Sequence, residues 1–377
     1  NTSNAKLNAD NNISLSNSFT ADKAEITSSK GNIDFGGSFN AKTATLTAAL
    51  GGITELSNAS IKSNNLTANA GTGITLDKNN LIDKASLKTT KGNILLTNNK
   101  ALSLGESSGD QFKLTNTAGL VLSGNLNASQ IDISASNISD SANASITGNA
   151  KLTTTGDIVL NNSSQNLSTL TASASGGLML KNLGTLSLQE IKAKNIDINS
   201  DGKLSIDGVL VSNEGSKLQS ASGISINNSI TSTNLNLSTD QLNMGAQGQI
   251  DTTDFIYTPN TANTIKVSLG GNNSINSGLE LSQNDLSRIK ASKVIIGDAK
   301  GNRVGDISIR GFNAAGAEVF INSAGELSQS AGGTITAKLL NAQATSINLG
   351  EANTVDTFIP NSTGDIVFAN TKTLALG

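Results

Sequence analysis

The sequence predicts an all-β fold, a right-handed parallel β-helix (β-solenoid) of about 17 coils with roughly 21 residues in each coil. Three observations predict it. A frame of the form Gly-x-Ile/Leu-x-Leu/Phe recurs along the chain, apolar and small polar residues alternate within the frame, and the only prolines are Pro259 and Pro360. Because proline removes a backbone donor, its near-absence suits strands that are hydrogen-bonded on both sides.

Glycine spacing sets the expected length of one coil. Gly31, Gly52 and Gly73 follow one another at intervals of 21 residues. This interval is too short for a propeller blade and close to one β-helix turn that carries three short strands. We expect the least regular stretch at residues 252–275, where Tyr257, Pro259 and a run of glycine and asparagine interrupt the alternation.

The two ends of the sequence carry no evident polar capping unit, which a repeat array needs where it meets water. We therefore expect residues 1–377 to form a single continuous β-helix segment of a longer chain.

Three copies of the frame keep a longer register, Gly-x-[Ile/Leu]-x-[Leu/Phe]-x-Asn-x-x-[Ala/Thr]-Leu-x-Leu. Each begins with a glycine: Gly92, Gly176 and Gly364. One position of the register holds an apolar residue expected to point inward: Ile94, Leu178 and Ile366. Another position always holds asparagine: Asn98, Asn182 and Asn370.

Two explanations of these asparagines are open from the sequence. Asn98 and Asn182 could stack between coils, with one side-chain amide bonding the next. Alternatively, each asparagine could serve a turn that requires a left-handed backbone conformation.

Alternation within each repeat predicts strands, as in Ile131-Asp132-Ile133. A period of two directs one side chain inward and the next outward. We therefore expect near-complete burial of the inward side chains, which include Ile133, Ile158, Leu180, Ile198 and Ile226.

Composition narrows the function classes. The chain has no cysteine, no histidine, no tryptophan and a net charge of −3. These absences remove disulfides, thiolate metal sites and the commonest general base, and they leave few aromatic platforms for stacking bases. No apolar run reaches the length of a membrane span. We predict no cofactor, no metal, no nucleic-acid partner and no membrane span.

The long register resembles the repeats of filamentous haemagglutinin-type exoproteins, the large adhesins of bacterial two-partner secretion. A second block, residues 278–309, is similar to a recurring block of the same exoproteins. It reads L-x-L-S-x-x-D-L-x-x-I-x-A-x-x-V-x-I-G-D, followed by G-D-I-x-I. The matching positions are Leu281, Asp285, Leu286, Ile289, Ala291, Ile295, Gly297 and Asp298.

This resemblance implies a secreted protein that is displayed at the bacterial cell surface after export through an outer-membrane partner transporter. It implies a structural rod or stalk of an adhesin, which attaches to cell-surface glycans or receptors or to matrix polysaccharide. The family's N-terminal secretion domain is not evident in the sequence.

A basic face is the first candidate for binding an anionic glycan. It comprises Arg288, Lys290, Lys293, Lys300, Arg303 and Arg310. Asp285, Asp298 and Asp306 are interspersed with these residues, so a solvated face of mixed charge is the competing explanation.

A polysaccharide-degrading β-helix enzyme is the alternative function. Such a site needs two or three carboxylates crowded on one face. The 29 acidic residues are instead scattered singly, so we predict that the chain is not an enzyme.

Overall fold

The computed structural model describes residues 2–271, 278–298 and 301–377. The chain forms a parallel β-solenoid of about 18 turns, with 69% of residues in strands and 1% in helix. The predicted fold class is therefore confirmed, with nearly the expected number of turns. Two compact units divide the chain, unit 1 at Asn1–Leu183 and unit 2 at Gly184–Gly377.

The strands of unit 1 range from two to 17 residues in length and are closely spaced. They are β1 (Thr2–Ala9), β2 (Ile13–Leu15), β3 (Phe19–Ser28), β4 (Ile33–Phe35), β5 (Ser38–Ala48), β6 (Gly52–Glu55), β7 (Ser60–Ala70), β8 (Gly73–Thr89), β9 (Ile94–Asn98), β10 (Leu102–Leu104), β11 (Ser107–Ser108), β12 (Gln111–Asn116), β13 (Leu120–Leu122), β14 (Leu126–Ala135), β15 (Ile138–Asp140), β16 (Ile146–Thr154), β17 (Ile158–Ala174) and β18 (Leu178–Asn182).

Unit 2 repeats this arrangement and adds a short helix. Its elements are β19 (Leu186–Ser200), β20 (Leu204–Ile206), β21 (Leu210–Ser220), β22 (Ile224–Ile226), β23 (Ser229–Ser238), β24 (Leu242–Met244), β25 (Gln249–Thr258), β26 (Val267–Gly271), β27 (Leu279–Ser282), α1 (Gln283–Ser287), β28 (Ile289–Ile296), β29 (Ile307–Ile309), β30 (Phe312–Asn322), β31 (Glu326–Gln329), β32 (Ile335–Ala344), β33 (Ser346–Ser362), β34 (Ile366–Asn370) and β35 (Ala375–Leu376). In the described part of the chain, no helix has the length and hydrophobicity of a membrane span.

Equivalent residues of successive turns stack in parallel register. Leu7 pairs with Ile26, and Ile26 pairs with Leu46 of the following turn. Stacking in this register turns the alternation of the sequence into continuous apolar rows. The five side chains expected inside are no more than 2% exposed, which confirms the prediction: Ile133, Ile158, Leu180, Ile198 and Ile226.

The long register is buried in two of its three copies. Ile94 and Leu178 are each 1% exposed, whereas Ile366 is 45% exposed and therefore not buried. Ile366 keeps the expected register and pairs with Ile347 of the preceding turn. It lies in the last turn of the structure, where no following strand covers it.

The second residue of the frame, after the glycine or after Asn11 in the first copy, links consecutive turns. Asn12 Oδ1 accepts a hydrogen bond from the N–H of Asn32, and Asn32 Oδ1 accepts one from Gly52, each over 20 residues and at 2.9 Å. Asp157 links to Gly177 in the same way at 2.7 Å. A side-chain oxygen at this position therefore continues the ladder around the corner, which explains the recurrence of Gly-Asn-Ile and Gly-Asp-Ile.

Gly92 shows why the frame begins with glycine. Its φ is +98°, and a Cβ there would lie 1.8 Å from the carbonyl oxygen of Thr72 in the preceding turn. Only glycine takes this backbone conformation without strain while another main chain approaches so closely.

The order of strands along unit 2 departs from sequence order near β26. Val267 of β26 pairs with Leu279 on one side and with Ile307 on the other. Strand β26 therefore lies between β27 and β29. Within the stretch expected to be irregular, residues 252–258 belong to the regular strand β25, and residues 272–275 lie outside the described residues.

Helix α1 follows from a local sequence signal. Ser282 caps its first turn, with Ser282 Oγ accepting from Asp285 N–H at 3.2 Å and Asp285 Oδ2 accepting from Ser282 N–H at 3.0 Å. This reciprocal capping box satisfies two donors that a helix N-terminus otherwise leaves unpaired. Leu286 is buried and anchors the helix to the strands beneath it.

Candidate functional site

The predicted basic residues lie on several different elements. Arg288 follows α1, Lys290 and Lys293 lie on β28, Arg303 lies in the loop before β29, and Arg310 follows β29. Lys300 lies outside the described residues. Within the described ranges, no ion pair or hydrogen bond joins these residues to one another.

Arg288 bonds the protein's own main chain. Its guanidinium donates to the carbonyl of Gly248 at 3.0 Å and to that of Gly245, and it pairs with Asp285 at 2.5 Å. Its side chain is only 15% exposed. This arginine therefore ties α1 to the turn before β25, with its donors already engaged.

Lys293 and Arg303 also have local surroundings of their own. Lys293 Nζ lies 4.7 Å from the ring centroid of Phe320, a cation–π contact. Arg303 lines a surface cavity of about 430 Å³ with Asn263, Gly301 and Ala324. Of the predicted basic residues that the structure describes, Lys290 is the one that lines the larger cleft described below.

Polar side chains, all buried except the half-buried Gln329 and Asn370, form three corners that we call polar corners 1, 2 and 3. Each contains a polar residue at the end of one strand, an amide in the next turn and an asparagine of the long register in the turn after that. Corner 1 is Glu55, Asn80 and Asn98; corner 2 is Asp140, Gln165 and Asn182; corner 3 is Gln329, Asn353 and Asn370.

The middle amide bonds both neighbouring turns, as Asn80 shows in corner 1. Its Oδ1 accepts from the N–H of Ile61 at 2.7 Å, and its Nδ2 donates to Glu55 Oε2 at 3.0 Å and to the carbonyl of Thr97 at 3.1 Å. Equivalent bonds, at 2.7 and 2.9 Å, join Gln165 to Ile146 and Asn353 to Ile335.

The asparagine of the long register bridges to one residue of the preceding turn. Asn98 Oδ1 accepts from the N–H of Ile82 at 2.7 Å, and its Nδ2 donates to the carbonyl of Ile82 at 3.2 Å and to Asn116 Oδ1 at 3.0 Å. The stacking explanation is thus confirmed for Asn98. The left-handed explanation is wrong for both Asn98 and Asn182, because Asn143 and Asn263 are the non-glycine residues with positive φ in the described part of the chain.

Glu55 is a carboxyl group held in a largely dry corner. It is 4% exposed, and its Oε1 has no hydrogen-bond partner. Burial raises the pKa of the Glu55 carboxyl, while the hydrogen bonds from Asn80 and from the N–H of Lys78 act in the opposite direction. Corner 3 has the neutral Gln329 in the equivalent place, so the corner is a structural device that does not require a carboxylate.

The main candidate site is a cleft of about 590 Å³ in unit 2, which we call the β28–β30 cleft. Buried apolar side chains form its floor: Phe255, Leu269, Leu281, Leu286 and Phe312. Exposed polar side chains lie at its rim: Asp251, Ser287, Lys290, Ser292 and Asn313. Its volume falls in the range of pockets that bind small ligands.

The cleft exists because the ladder between β28 and β30 is incomplete. The two strands pair from Lys293 with Glu318 to Ile296 with Ile321. Among the described residues, no strand pairs with residues 289–292 on the side that faces β30. Those residues pair only with β25, where Ile250 is opposite Ile289 and Asp251 is opposite Lys290.

An insertion in β30 accompanies the opening. Ala314 pairs with Ala337 and Glu318 with Leu339, so β30 has residues 315–317 where β32 has the single residue Lys338. Gly316 has a φ of +81°, and a bulge at this position turns the strand away from its neighbour. Sequence reasoning missed this cleft, and its signal is the Ala-Ala-Gly-Ala run at 314–317 inside a strand.

The fold and the cleft define the chain as a parallel β-solenoid repeat protein with an apolar-floored opening in the wall of unit 2. Comparisons with protein-family models, with curated proteins and with solved structures find no match for this chain.

Proposed function

We propose that the chain is a structural stalk of a secreted bacterial surface adhesin. The observation that carries the proposal is the stacking within each unit, in which every turn bonds the next through backbone ladders and through side-chain oxygens such as those of Asn32 and Asp157. Bonds that run from turn to turn resist bending, and each turn needs only its neighbours for stability.

The outward surface supports the same proposal. Its strands present mainly Asn, Ser and Thr, and most salt bridges join exposed pairs such as Lys42 with Asp22. Neutral hydrogen-bonding side chains suit contact with hydroxyl-rich polysaccharide. The resemblance of the repeats to filamentous haemagglutinin-type exoproteins adds export through an outer-membrane partner transporter and display outside the cell.

Attachment and turnover distinguish a stalk from a polysaccharide-degrading enzyme. Beads coated with the 377-residue chain would be tested for retention on cell monolayers and on surfaces of acidic or neutral polysaccharide. Reducing-sugar release from the same polysaccharides would be measured in parallel. Beads coated with urea-unfolded chain are the matched control.

We expect retention by the folded chain, loss of retention with the unfolded chain and no release of reducing sugar. Turnover of any polysaccharide would overturn the proposal in favour of the enzyme. Equal retention of folded and unfolded chain would show that the fold contributes nothing to attachment.

A further inference from the structure

We propose that the β28–β30 cleft binds an extended segment of a partner polypeptide, which adds as a strand between β28 and β30. Strand order, unpaired strand edges and charge at the cleft support this binding mode, which does not depend on the adhesin proposal.

The strand order shows that one strand is missing on one face of unit 2. The short strands of unit 2 form one face, and there β27 contacts β24, β26 pairs with β27, and β29 pairs with β26. The first halves of the long strands form the neighbouring face, where β28 is the single strand between β25 and β30. In the described residues the first face therefore has two strands over an interval in which the second has one.

An additional strand on one face lengthens that face by one strand spacing, about 4.8 Å. The neighbouring face then has room to open by a similar amount, and with the insertion in β30 it opens where residues 289–292 face residues 312–315. We infer that the opening has the width of one strand and a length of about four residues, roughly 13 Å.

The edge of β28 presents unpaired backbone groups to this opening. Alternate residues of a parallel strand bond to opposite neighbours. Arg288 accepts from the N–H of Ile250 on the β25 side, so Lys290 also bonds to β25, while Ile289 and Ala291 are directed into the cleft. Unpaired donors and acceptors at a strand edge are the groups that bind an added strand.

The opposite wall offers a similar but shorter edge. Phe312 donates to Thr334 on the far side, which directs the backbone of Asn313 into the cleft by the same alternation. The N–H of Ala315 is already bonded to Asn313 Oδ1 at 3.2 Å. An added strand would thus find its longer ladder on β28.

Side chains at the cleft define the segment that fits. The inward residues at the centre of the two walls are small, Ala291 and Ala314, and they leave room above the apolar floor for larger apolar side chains. Lys290 is exposed at the rim and opposite Asp251 of β25. An acidic residue on the open side would place Lys290 between two carboxylates.

Unit 1 contains the same arrangement with the charges reversed. On its outer surface Asp132 is opposite Lys113 on one side and opposite Lys151 on the other. The fitting segment is therefore apolar–acidic–apolar. The sequence Asn-Ile-Asp-Ile-Asn of residues 195–199 has this pattern and reads the same in both directions, so it suits either strand orientation.

The probe is the acetylated and amidated pentapeptide Asn-Ile-Asp-Ile-Asn with a fluorescent label, titrated with the full 377-residue chain. The same peptide with both isoleucine amides N-methylated keeps the side chains and loses two backbone donors. A third peptide has lysine in place of its aspartate. The protein variants are Lys290→Glu and, as a matched control, Lys217→Glu, an exposed lysine on β21, which pairs on both sides.

We expect saturable binding of the first peptide, and binding weaker by about tenfold after N-methylation or after Lys290→Glu. Lys217→Glu should leave binding unchanged, and the lysine peptide should regain affinity for Lys290→Glu. Bound peptide should also slow the hydrogen exchange of the Ile289 and Ala291 amides.

Equal binding of the N-methylated peptide would overturn the proposal, since adsorption to the apolar floor would then explain the signal. Absence of saturable binding to the unmodified chain would overturn it as well. An equal loss of peptide binding in Lys290→Glu and Lys217→Glu would show that the charge of Lys290 has no specific role in binding.

Discussion

Polar corner 1 and the β28–β30 cleft absorb insertions of the same size in opposite ways. Between Leu76 and Asn80, β8 has two more residues than the stretch of β9 that it pairs with, and β30 has two more than β32 between Ala314 and Glu318. The corner stays closed because the Asn80 amide replaces the interrupted ladder bonds. The cleft is open, and the nearby amide of Asn313 bonds only within its own strand.

The difference teaches that a solenoid tolerates extra residues in a turn when a buried side chain takes over the backbone bonds on both sides. The three corners repeat this solution with Asn80, Gln165 and Asn353. Where no such side chain is present, the wall opens, and the opening becomes a place for a partner.

Replacing the bridging amide of a polar corner should give the largest loss of stability. Asn80→Leu leaves the N–H of Ile61 without its partner and removes one of the two hydrogen bonds to the Glu55 carboxyl. We expect a loss of about 3 to 5 kcal/mol in the free energy of unfolding. Urea unfolding and hydrogen exchange of the Ile61 amide measure it. Asn79→Leu, at the exposed neighbour, is the control, and similar stabilities of the two variants would contradict the role of the corner.

Replacing the glycine that begins the long register should give the second-largest loss of stability. Gly92→Ala forces a side chain into a left-handed conformation and against the carbonyl of Thr72, and we expect a loss of about 2 to 4 kcal/mol. Gly119→Ala is the matched control, since a Cβ there meets nothing within 4 Å. We expect that control to be neutral or slightly stabilising. Equal losses in thermal or urea unfolding would show that the glycine is not required by backbone geometry.

Shortening β30 tests whether its insertion holds the β28–β30 cleft open. Deleting Ala315 and Gly316 leaves one residue opposite Lys338, so β28 and β30 should pair as far as Ile289. We expect a gain of about 1 to 2 kcal/mol from two new ladder bonds, protection of the Ala291 amide and loss of peptide binding. An unchanged Ala291 exchange rate would mean that the insertion does not hold the cleft open.

Replacing Glu55 should give the smallest change in stability, and the size of this change depends on pH. Because burial raises the pKa of this carboxyl, its contribution to stability is fully present at low pH and is lost as the pH rises through the folded-state pKa. Glu55→Gln copies the neutral Gln329 of corner 3 and should remove this dependence.

We expect the Glu55→Gln variant to be more stable than the natural chain by about 1 kcal/mol near neutral pH, with the difference disappearing near pH ~4. Urea unfolding across this range measures the difference. A variant that is less stable than the natural chain at neutral pH would contradict the prediction.

Most of the fold could be predicted because its signals are local. Alternation such as Ile131-Asp132-Ile133 specifies which side chain points inward, and the frame glycines mark each turn. The inward positions of Ile94 and Leu178 followed directly from that register. Ile366 has the same local sequence, but its burial depends on a following turn, which the frame itself does not contain.

The polar corners and the cleft could be predicted only in part. Asn98 could be recognised because asparagine recurs at its position of the register. Glu55 also gave a signal, which was overlooked. It is an acidic residue at an inward position of the frame, where the preceding turn has Phe35. Arg288 looked like part of a basic face, but its carbonyl partner Gly248 lies 40 residues earlier in the chain. The cleft depends on β26 lying between β27 and β29, a long-range order that no short pattern encodes.

Because Tyr257 is buried in unit 2, the tyrosine fluorescence and absorption of the protein report on unit 2. Tyr257 is the only tyrosine in a chain without tryptophan, it is fully buried in β25, and burial raises the pKa of its phenol well above the ordinary value. Tyrosine fluorescence therefore reports on unit 2, and unit 1 can unfold without changing the tyrosine emission. In an alkaline titration, the ultraviolet absorption of tyrosinate should appear only as unit 2 opens around β25. This single residue thus serves as a built-in indicator for the half of the protein that contains the β28–β30 cleft.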